Sequence, residues 1–227
     1  MKVLIKRFID GKTWFDEFDV EYKNDETILE LLDKIKAIDR SVTYRSFCRS
    51  SICGTCAIKV NNKTILACKS KVKDFVENDE LIIEPLDRVK LIKDLVVDND
   101  IIEDRLKKNK TWFEFNGNYL QKPQDLQKIE KQTDCILCMA CFAECEALDY
   151  DKNFGGPFAF TKVYRFFFDT RDKLKQERID IAKQNGLYNC INCQKCVMVC
   201  PKNIASAYDI KMLQNCDINN VEVNNFF

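Results

Sequence analysis

The chain has 227 residues, thirteen of them cysteine and none histidine. At roughly 150 residues per domain this length accommodates one or two domains, and 46% hydrophobic residues are enough for a packed core. Thirty-six basic residues balance thirty-six acidic ones and the pI is near 6.4, without the basic excess of nucleic-acid-binding domains. Without histidine there is no His general base, no Ser-His or Cys-His nucleophile pair, no His-ligated haem and no Rieske centre.

From the N-terminus, Val3, Ile5 and Phe8 precede Asp10-Gly11, a hairpin-type turn, and alternation at Phe18, Val20 and Tyr22 predicts a second strand. Asn24 and Asp25 are N-cap candidates for a helix with Ile28, Leu31, Leu32 and Ile35 on one face. Asn61-Asn62 predicts a short hairpin between 57–60 and 64–67, and 81–83 a closing strand. The charge-rich stretch 98–110 reads as a linker or exposed helix, with Arg105–Lys110 as a solvated face. Helix-like segments between cysteine groups follow. Residues 1–98 are therefore expected to form a β-rich domain and 99–227 an α-helical one.

The opening MKVLIKRFIDGK carries charge at Lys2, Lys6 and Arg7 and no apolar signal region. The longest apolar run, 135–143, is too short to span a bilayer. The expectation is a chain neither exported on its own signal nor membrane-spanning, whose cysteines in a reducing compartment are metal ligands rather than disulfides.

Their grouping decides among metals. Cys48, Cys53, Cys56 and Cys68 follow C-x4-C-x2-C-x11-C. Three thiolates on one tight loop with a distant fourth is the plant-type spacing of a 2Fe–2S cluster, whereas zinc ribbons favour paired C-x2-C knuckles. Gly54 lets backbone amides approach the sulfurs. Cys135, Cys138, Cys141 and Cys145 form C-x2-C-x2-C-x3-C, and Cys190, Cys193, Cys196 and Cys200 repeat it before Pro201. This is the bacterial ferredoxin run, in which the fourth cysteine of each run serves the other cluster. One 4Fe–4S cluster is thus expected on Cys135, Cys138, Cys141 and Cys200, and a third cluster on Cys190, Cys193, Cys196 and Cys145. Cys216 stands alone and reads as a small buried hydrophobe. Three clusters and no acid–base machinery describe a relay of single electrons, with substrate chemistry on another polypeptide and no catalytic residue here.

The order of a plant-type domain followed by a two-cluster domain resembles the iron–sulfur subunit of succinate dehydrogenase and fumarate reductase. The resemblance is carried by residues 44–69 (YRSFCRSSICGTCAIKVNNKTILACK), 84–98 (EPLDRVKLIKDLVVD), 155–172 (GGPFAFTKVYRFFFDTRD) and 200–204 (CPKNI). It implies an α+β protein, an N-terminal β-grasp domain of plant-type 2Fe–2S ferredoxin kind and an α-helical two-cluster ferredoxin-like domain. It further implies an FAD-bearing partner that interconverts succinate and fumarate, and a membrane-anchor subunit that passes electrons to or from menaquinone or another quinone. The complex would be peripheral on the bacterial inner membrane, on the cytoplasmic side by default and on the periplasmic side if exported with the flavoprotein.

Three departures from the family pattern sharpen the expectation. Cys193 stands where most members have a non-cysteine residue and a 3Fe–4S centre, so a second 4Fe–4S cluster is expected; the alternative is 3Fe–4S with Cys193 turned away. Glu146 and Ala147–Tyr150 replace the usual Pro and Trp pair, and Ile191 stands where a His often follows, so direct quinone contact by this chain is not expected. Ser51 replaces a usual Gly. Together these resemble an unorthodox branch with a cysteine-rich anchor, some of whose complexes are methylmenaquinol-linked fumarate reductases. The runners-up are the iron–sulfur subunit of a thiol-linked fumarate reductase or other flavoprotein oxidoreductase, and a free-standing polyferredoxin.

Overall fold

The computed structural model describes residues 1–117 and 120–219, with side chains as far as 216. It divides into two compact units: residues 1–99 with 136–143, and residues 100–135 with 144 onward.

The first unit is built on a five-stranded sheet of order β2-β1-β5-β3-β4. Strands β1 (Lys2–Ile9) and β2 (Lys12–Asp19) form an antiparallel hairpin whose turn carries positive φ at Asp10 and Gly11, as a two-residue primed turn requires. That tight turn sets the register, Ile9 opposite Lys12 and Lys2 opposite Asp19. The second strand therefore ends before Val20 and Tyr22, which the alternation had included. Strands β3 (Ala57–Val60) and β4 (Lys63–Leu66) flank the Asn61-Asn62 turn, and β5 (Glu80–Glu84) pairs parallel to β1 and antiparallel to β3. A two-stranded ribbon, β6 (Leu91–Lys93) and β7 (Val96–Val97), follows.

Helix α1 (Ile28–Ile38) buries Ile28, Leu31, Leu32 and Ile35, together with Val3, Ile5 and Leu81 of the sheet. Each such side chain contributes roughly 1.5–3 kcal/mol by leaving water. Its N-cap is Thr27, not Asn24 or Asp25. The Glu30 amide donates to Thr27 Oγ1 (3.2 Å) and the Thr27 amide to Glu30 Oε2 (2.8 Å), a reciprocal capping box. The T-x-x-E signature directly before the apolar run places the cap two residues later than Asp25. Beneath the hairpin, Arg7 is buried against Asp94, with Nε donating to Oδ1 at 3.0 Å. Asp94 also accepts from the amides of Phe8 and Thr43.

The second unit is helical: α2 (Asp100–Lys108), α3 (Pro123–Gln127), α4 (Glu130–Thr133), α6 (Ala147–Tyr150), α7 (Pro157–Phe167), α8 (Lys175–Gln184), α9 (Lys195–Met198) and α10 (Ser206–Asn219). The short α5 (Ala140–Ala143) packs with β4 in the first unit. The core gathers on α7, whose Phe158, Phe160, Val163 and Phe167 are buried with Phe154 and Phe168, and α10 packs against it. Phe166 is held between guanidinium groups, Arg165 Cζ at 4.5 Å and Arg178 Cζ at 5.0 Å from its ring.

The expected solvated face at Arg105–Lys110 is corrected at two positions. Arg105 is buried and donates to the carbonyls of Asn153 (3.1 Å) and Lys152 (2.5 Å), while Asn109 is fully buried. A guanidinium can tie two loop carbonyls at once, and that pairing overrides its preference for water. Lys107 and Lys108 do face solvent, pairing with Glu103 and Asp104. No helix of the described residues is long and apolar enough to cross a membrane.

Candidate iron–sulfur centres

No disulfide joins the thirteen cysteines, and among the described residues no three His, Cys, Asp or Glu side chains converge on a single metal ion. Two of the expected groups meet instead in wider arrangements, Cys48, Cys53, Cys56 and Cys68 in one and Cys145, Cys190, Cys193 and Cys196 in the other.

In the first group, the loop 48–56 turns on left-handed residues at Arg49, Ser51 and Gly54. These reversals aim successive amides inward, an anion-holding concavity. Ser50, Ile52 and Cys53 donate to Cys48 Sγ at 3.4, 3.4 and 3.3 Å, and Ser51 donates to Cys68 Sγ at 3.3 Å. The three amides pull the Cys48 thiol down to about 6. Burial pushes Cys56, beside Cys68 and Cys53, up to about 12. The β3–β4 hairpin returns the chain so that the Ala67 amide bonds the Cys56 carbonyl at 3.0 Å, setting Cys68 beside the loop. The four cysteines are thus brought together, and a donor set of thiols under amides suits a group whose sulfurs are anionic.

Gly54 has a second role. With φ at +74°, a Cβ on it would lie 2.9 Å from Cys138 Cβ and 3.0 Å from the Ile136 carbonyl. The loop thus lies directly against the backbone of Cys138, an approach that only glycine permits. Arg49 is fixed from outside: Asp33 on α1 accepts from its Nη1 at 2.7 Å and Nη2 at 3.1 Å, and from the Tyr44 hydroxyl at 2.5 Å. Cysteine spacing gives no hint of this clamp.

The two ferredoxin runs share one backbone conformation. Positive φ falls at Leu137 (53°) and Met139 (62°) in the first, and at the matching Asn192 (54°) and Gln194 (64°) in the second. Non-glycine residues in this region cost roughly 1–2 kcal/mol each, so the repeated strain marks loops shaped for a purpose. Cys193 occupies the place in its loop that Cys138 occupies in the other.

Cys145, Cys190, Cys193 and Cys196 line one small cavity together with Phe154, Pro157, Ala207 and Ile210. Burial raises Cys145 to about 11 and Cys196 to about 12, and each responds to the charges of Cys190 and Cys193. Cys200 Sγ accepts from the Ile204 amide at 3.3 Å. Cys135 and Cys200 belong to the second unit, and Cys138 and Cys141 to the first. Cys216 is buried on α10, its thiol raised to about 11 by burial, in keeping with a small apolar side chain.

A β-sheet unit that gathers Cys48, Cys53, Cys56 and Cys68, in a chain with two ferredoxin runs at 135–145 and 190–200, defines a multi-centre iron–sulfur electron-transfer protein. Residues 2–104 match the family of 2Fe-2S iron-sulfur cluster binding domains, and residues 131–204 the 4Fe-4S dicluster domain family. Among curated relatives, the 8-methylmenaquinol:fumarate reductase iron-sulfur subunit of Wolinella succinogenes is 35% identical, covering 94% of this chain and 72% of that protein. The fumarate reductase iron-sulfur subunit of Haemophilus influenzae is 31% identical over 91% of this chain and 89% of its own length. A polypeptide of the fumarate reductase (CoM/CoB) of Methanothermobacter marburgensis is 33% identical over 90% of this chain, which spans only 41% of that longer protein. Among solved structures, a chain of the Mycobacterium smegmatis Sdh1 complex in its apo form has the same fold, with TM-score 0.86 over 97% of both chains at 21% identity. The chain belongs to the family of iron–sulfur subunits of fumarate reductase and succinate dehydrogenase, and is an electron-transfer subunit of that oxidoreductase class.

Proposed function

We propose that the chain holds three clusters: a 2Fe–2S cluster on Cys48, Cys53, Cys56 and Cys68, a 4Fe–4S cluster on Cys135, Cys138, Cys141 and Cys200, and a second 4Fe–4S cluster on Cys145, Cys190, Cys193 and Cys196. Residues 1–98 and 99–227 are the corresponding functional domains. When bound, each cluster would accept and return one electron. The chain's own contribution is to hold each site's thiolates under amide donors, to exclude water from the third site with Phe154 and Pro157, and to bring Gly54 against Cys138.

The observation that carries the 4Fe–4S reading of the third centre is the position of Cys193, which lines the same cavity as Cys145, Cys190 and Cys196 in a loop with the backbone twist of the Cys138 loop. Four thiols around one cavity suit a four-iron cluster, whereas a 3Fe–4S centre leaves one of them without iron.

The partners on this reading are an FAD-bearing subunit, which carries the dicarboxylate chemistry, and a membrane-anchor subunit of the cysteine-rich kind. The complex sits on the inner membrane, and menaquinone is reached through the anchor. The name of the Wolinella succinogenes relative supports a methylmenaquinol-linked fumarate reductase. The Methanothermobacter marburgensis relative supports a thiol-linked reductase as the second reading. Purification of the native complex tests both. We expect bound flavin, a cysteine-rich anchor without haem b, and an oxidised protein without a 3Fe–4S resonance in electron paramagnetic resonance. In Cys193→Ser that resonance should appear with loss of one iron per chain. A strong 3Fe–4S signal at near full occupancy in the wild type overturns the four-iron assignment. Haem b with an ordinary two-subunit anchor overturns the anchor assignment.

A further inference from the structure

Asp209 on α10 is fully buried, and among the described residues no lysine or arginine pairs with it. Its Oδ1 accepts from Gln132 Nε2 at 2.8 Å and its Oδ2 from Thr161 Oγ1 at 2.8 Å, with Ser206 Oγ 2.9 Å from Thr161. The charged and titratable groups of the surrounding elements are engaged or turned outward. On α7, Lys162 bonds the Cys135 carbonyl and Arg165 faces Asp169, while Tyr164 senses the Asp209 charge. On α4, Lys131 pairs with Asp134 and Glu130 is exposed. On α9, Lys195 pairs with Glu146; Tyr188, from the turn at 187–189, is exposed. On α10 itself, Tyr208 and Lys211 are exposed and Cys216 is a buried thiol. Burial raises the Asp209 carboxyl to about 6 against the pull of its two hydrogen bonds.

The neighbouring amide is built for two protonation states. A carboxylate only accepts, so Gln132 must offer its NH2 and leaves Oε1 buried without a partner. A protonated Asp209 donates, and rotating the Gln132 amide about its last torsion supplies that orphaned oxygen as the acceptor. The same amide can therefore face either protonation state of the carboxyl.

The same helix forms a wall of the third centre. Ala207 and Ile210 line the cavity of Cys145, Cys190, Cys193 and Cys196, and the Ala207 amide donates to Cys196. Asp209 lies between them in sequence but turns its carboxyl to Gln132 and Thr161, so across a helix about 10–12 Å wide with its side chains the carboxyl is on the order of 10 Å from the cavity. Unit charges at that range in a protein interior interact well above thermal energy.

We propose that Asp209 is a redox-linked proton-binding site: it takes one proton from water when an electron arrives at the third centre and releases it when the electron leaves. This rests on the reading that those four cysteines hold a cluster. The balance is one electron, from the neighbouring centre or from dithionite, and one solvent proton forming an Oδ–H bond. No other bond changes. An added negative charge disfavours the carboxylate, so reduction tightens proton binding, and by linkage the proton favours reduction.

The test is potentiometric electron paramagnetic resonance of the intact complex across the pH range from about 5 to about 9, with iron and sulfide analysis of the same samples. Between the two proton affinities, the reduced-to-oxidised ratio of the third centre should fall up to tenfold per pH unit, about 59 mV for one electron. Asp209→Asn should flatten that dependence and leave the first centre unchanged. Thr161→Val removes one donor to the carboxylate and should move the dependent window to higher pH. Reduced-minus-oxidised infrared spectra should show a protonated-carboxyl band in the wild type that is missing from Asp209→Asn. A full third-centre signal with a pH-independent potential, or an unchanged slope in Asp209→Asn, overturns the proton site alone. Iron and signal too low for a third cluster overturn the ligand reading and the proton site with it.

Discussion

Replacing Gly54 by Ala tests the close approach of the first cysteine loop to Cys138. Two costs add. The backbone sits at φ +74°, where a Cβ costs roughly 1–2 kcal/mol. The new Cβ would also stand 2.9 Å from Cys138 Cβ, 3.0 Å from the Ile136 oxygen and 3.1 Å from Cys138 Cα. Two of those three atoms are backbone and cannot rotate away, so overpacking adds about 1–3 kcal/mol. Gly11 provides the internal control: its φ is +79° and nothing lies within 4 Å of its Cβ position. Gly11→Ala should therefore show the backbone cost alone, and Gly54→Ala about twice that or more. Urea titration of the first unit's circular dichroism, with thermal loss of the 2Fe–2S absorption as a second readout, compares the two directly. The Gly54 variant should also slow electron passage between the first and second centres in freeze-quench reduction. Equal losses in the two variants would refute the reasoning, because the contact with Cys138 would then contribute nothing.

Ser51 sits at φ +58° while its amide serves Cys68 Sγ, so Ser51→Gly should relieve strain and stabilise the loop by up to about 1 kcal/mol, read as slower cluster loss to a chelator. The Arg178–Asp172 pair is fully buried at 2.5 Å, and Arg178 also holds the Trp112 carbonyl at 2.7 Å. Asp172→Ala should cost about 3–5 kcal/mol in urea unfolding, and adding Arg178→Met should cost less than the sum of the single changes, since the stranded charge is then gone. In chelator-treated protein at neutral pH, iodoacetamide should modify Cys48 first and Cys56 and Cys196 last, as resolved by peptide mass spectrometry. Because the folded Cys48 affinity for its proton is depressed, the thiolate and the stability it brings persist above the unfolded value. Both are lost as pH falls through about 6. A Cys56 that reacts as fast as Cys48 would contradict the amide cradle.

Cysteine spacing made the candidate centres legible because a cluster needs several thiolates at short range, and short range is what local sequence encodes. The hairpins at Asp10-Gly11 and Asn61-Asn62 were readable for the same reason, since two residues fix the turn and the turn fixes the register. The Thr27 cap was equally local, but two earlier cap-type residues obscured it. Arg105 was not legible. Its burial depends on the carbonyls of Lys152 and Asn153, far along the chain, which no window on the sequence brings together. Asp33, Tyr44 and Arg49 likewise meet only after α1 has docked.

Ser51 joins the two kinds of information. In sequence it is a serine where the family usually has glycine, and nothing local says what that costs. In the structure it is left-handed, like Arg49 and Gly54 beside it, and its amide points at Cys68. Leu137, Met139, Asn192 and Gln194 repeat that pattern with side chains larger than serine. With Arg49, six non-glycine residues of the three tight cysteine loops thus hold a left-handed conformation, which all but Asn192 disfavour. Such strain persists only where the surroundings over-determine it. On the proposed ligand sets, the amide-to-sulfur contacts and the bound clusters would together supply that constraint. Cluster loading and loop shape are then one equilibrium, and removal of iron should loosen these loops before it disturbs the sheet or the α7–α10 core.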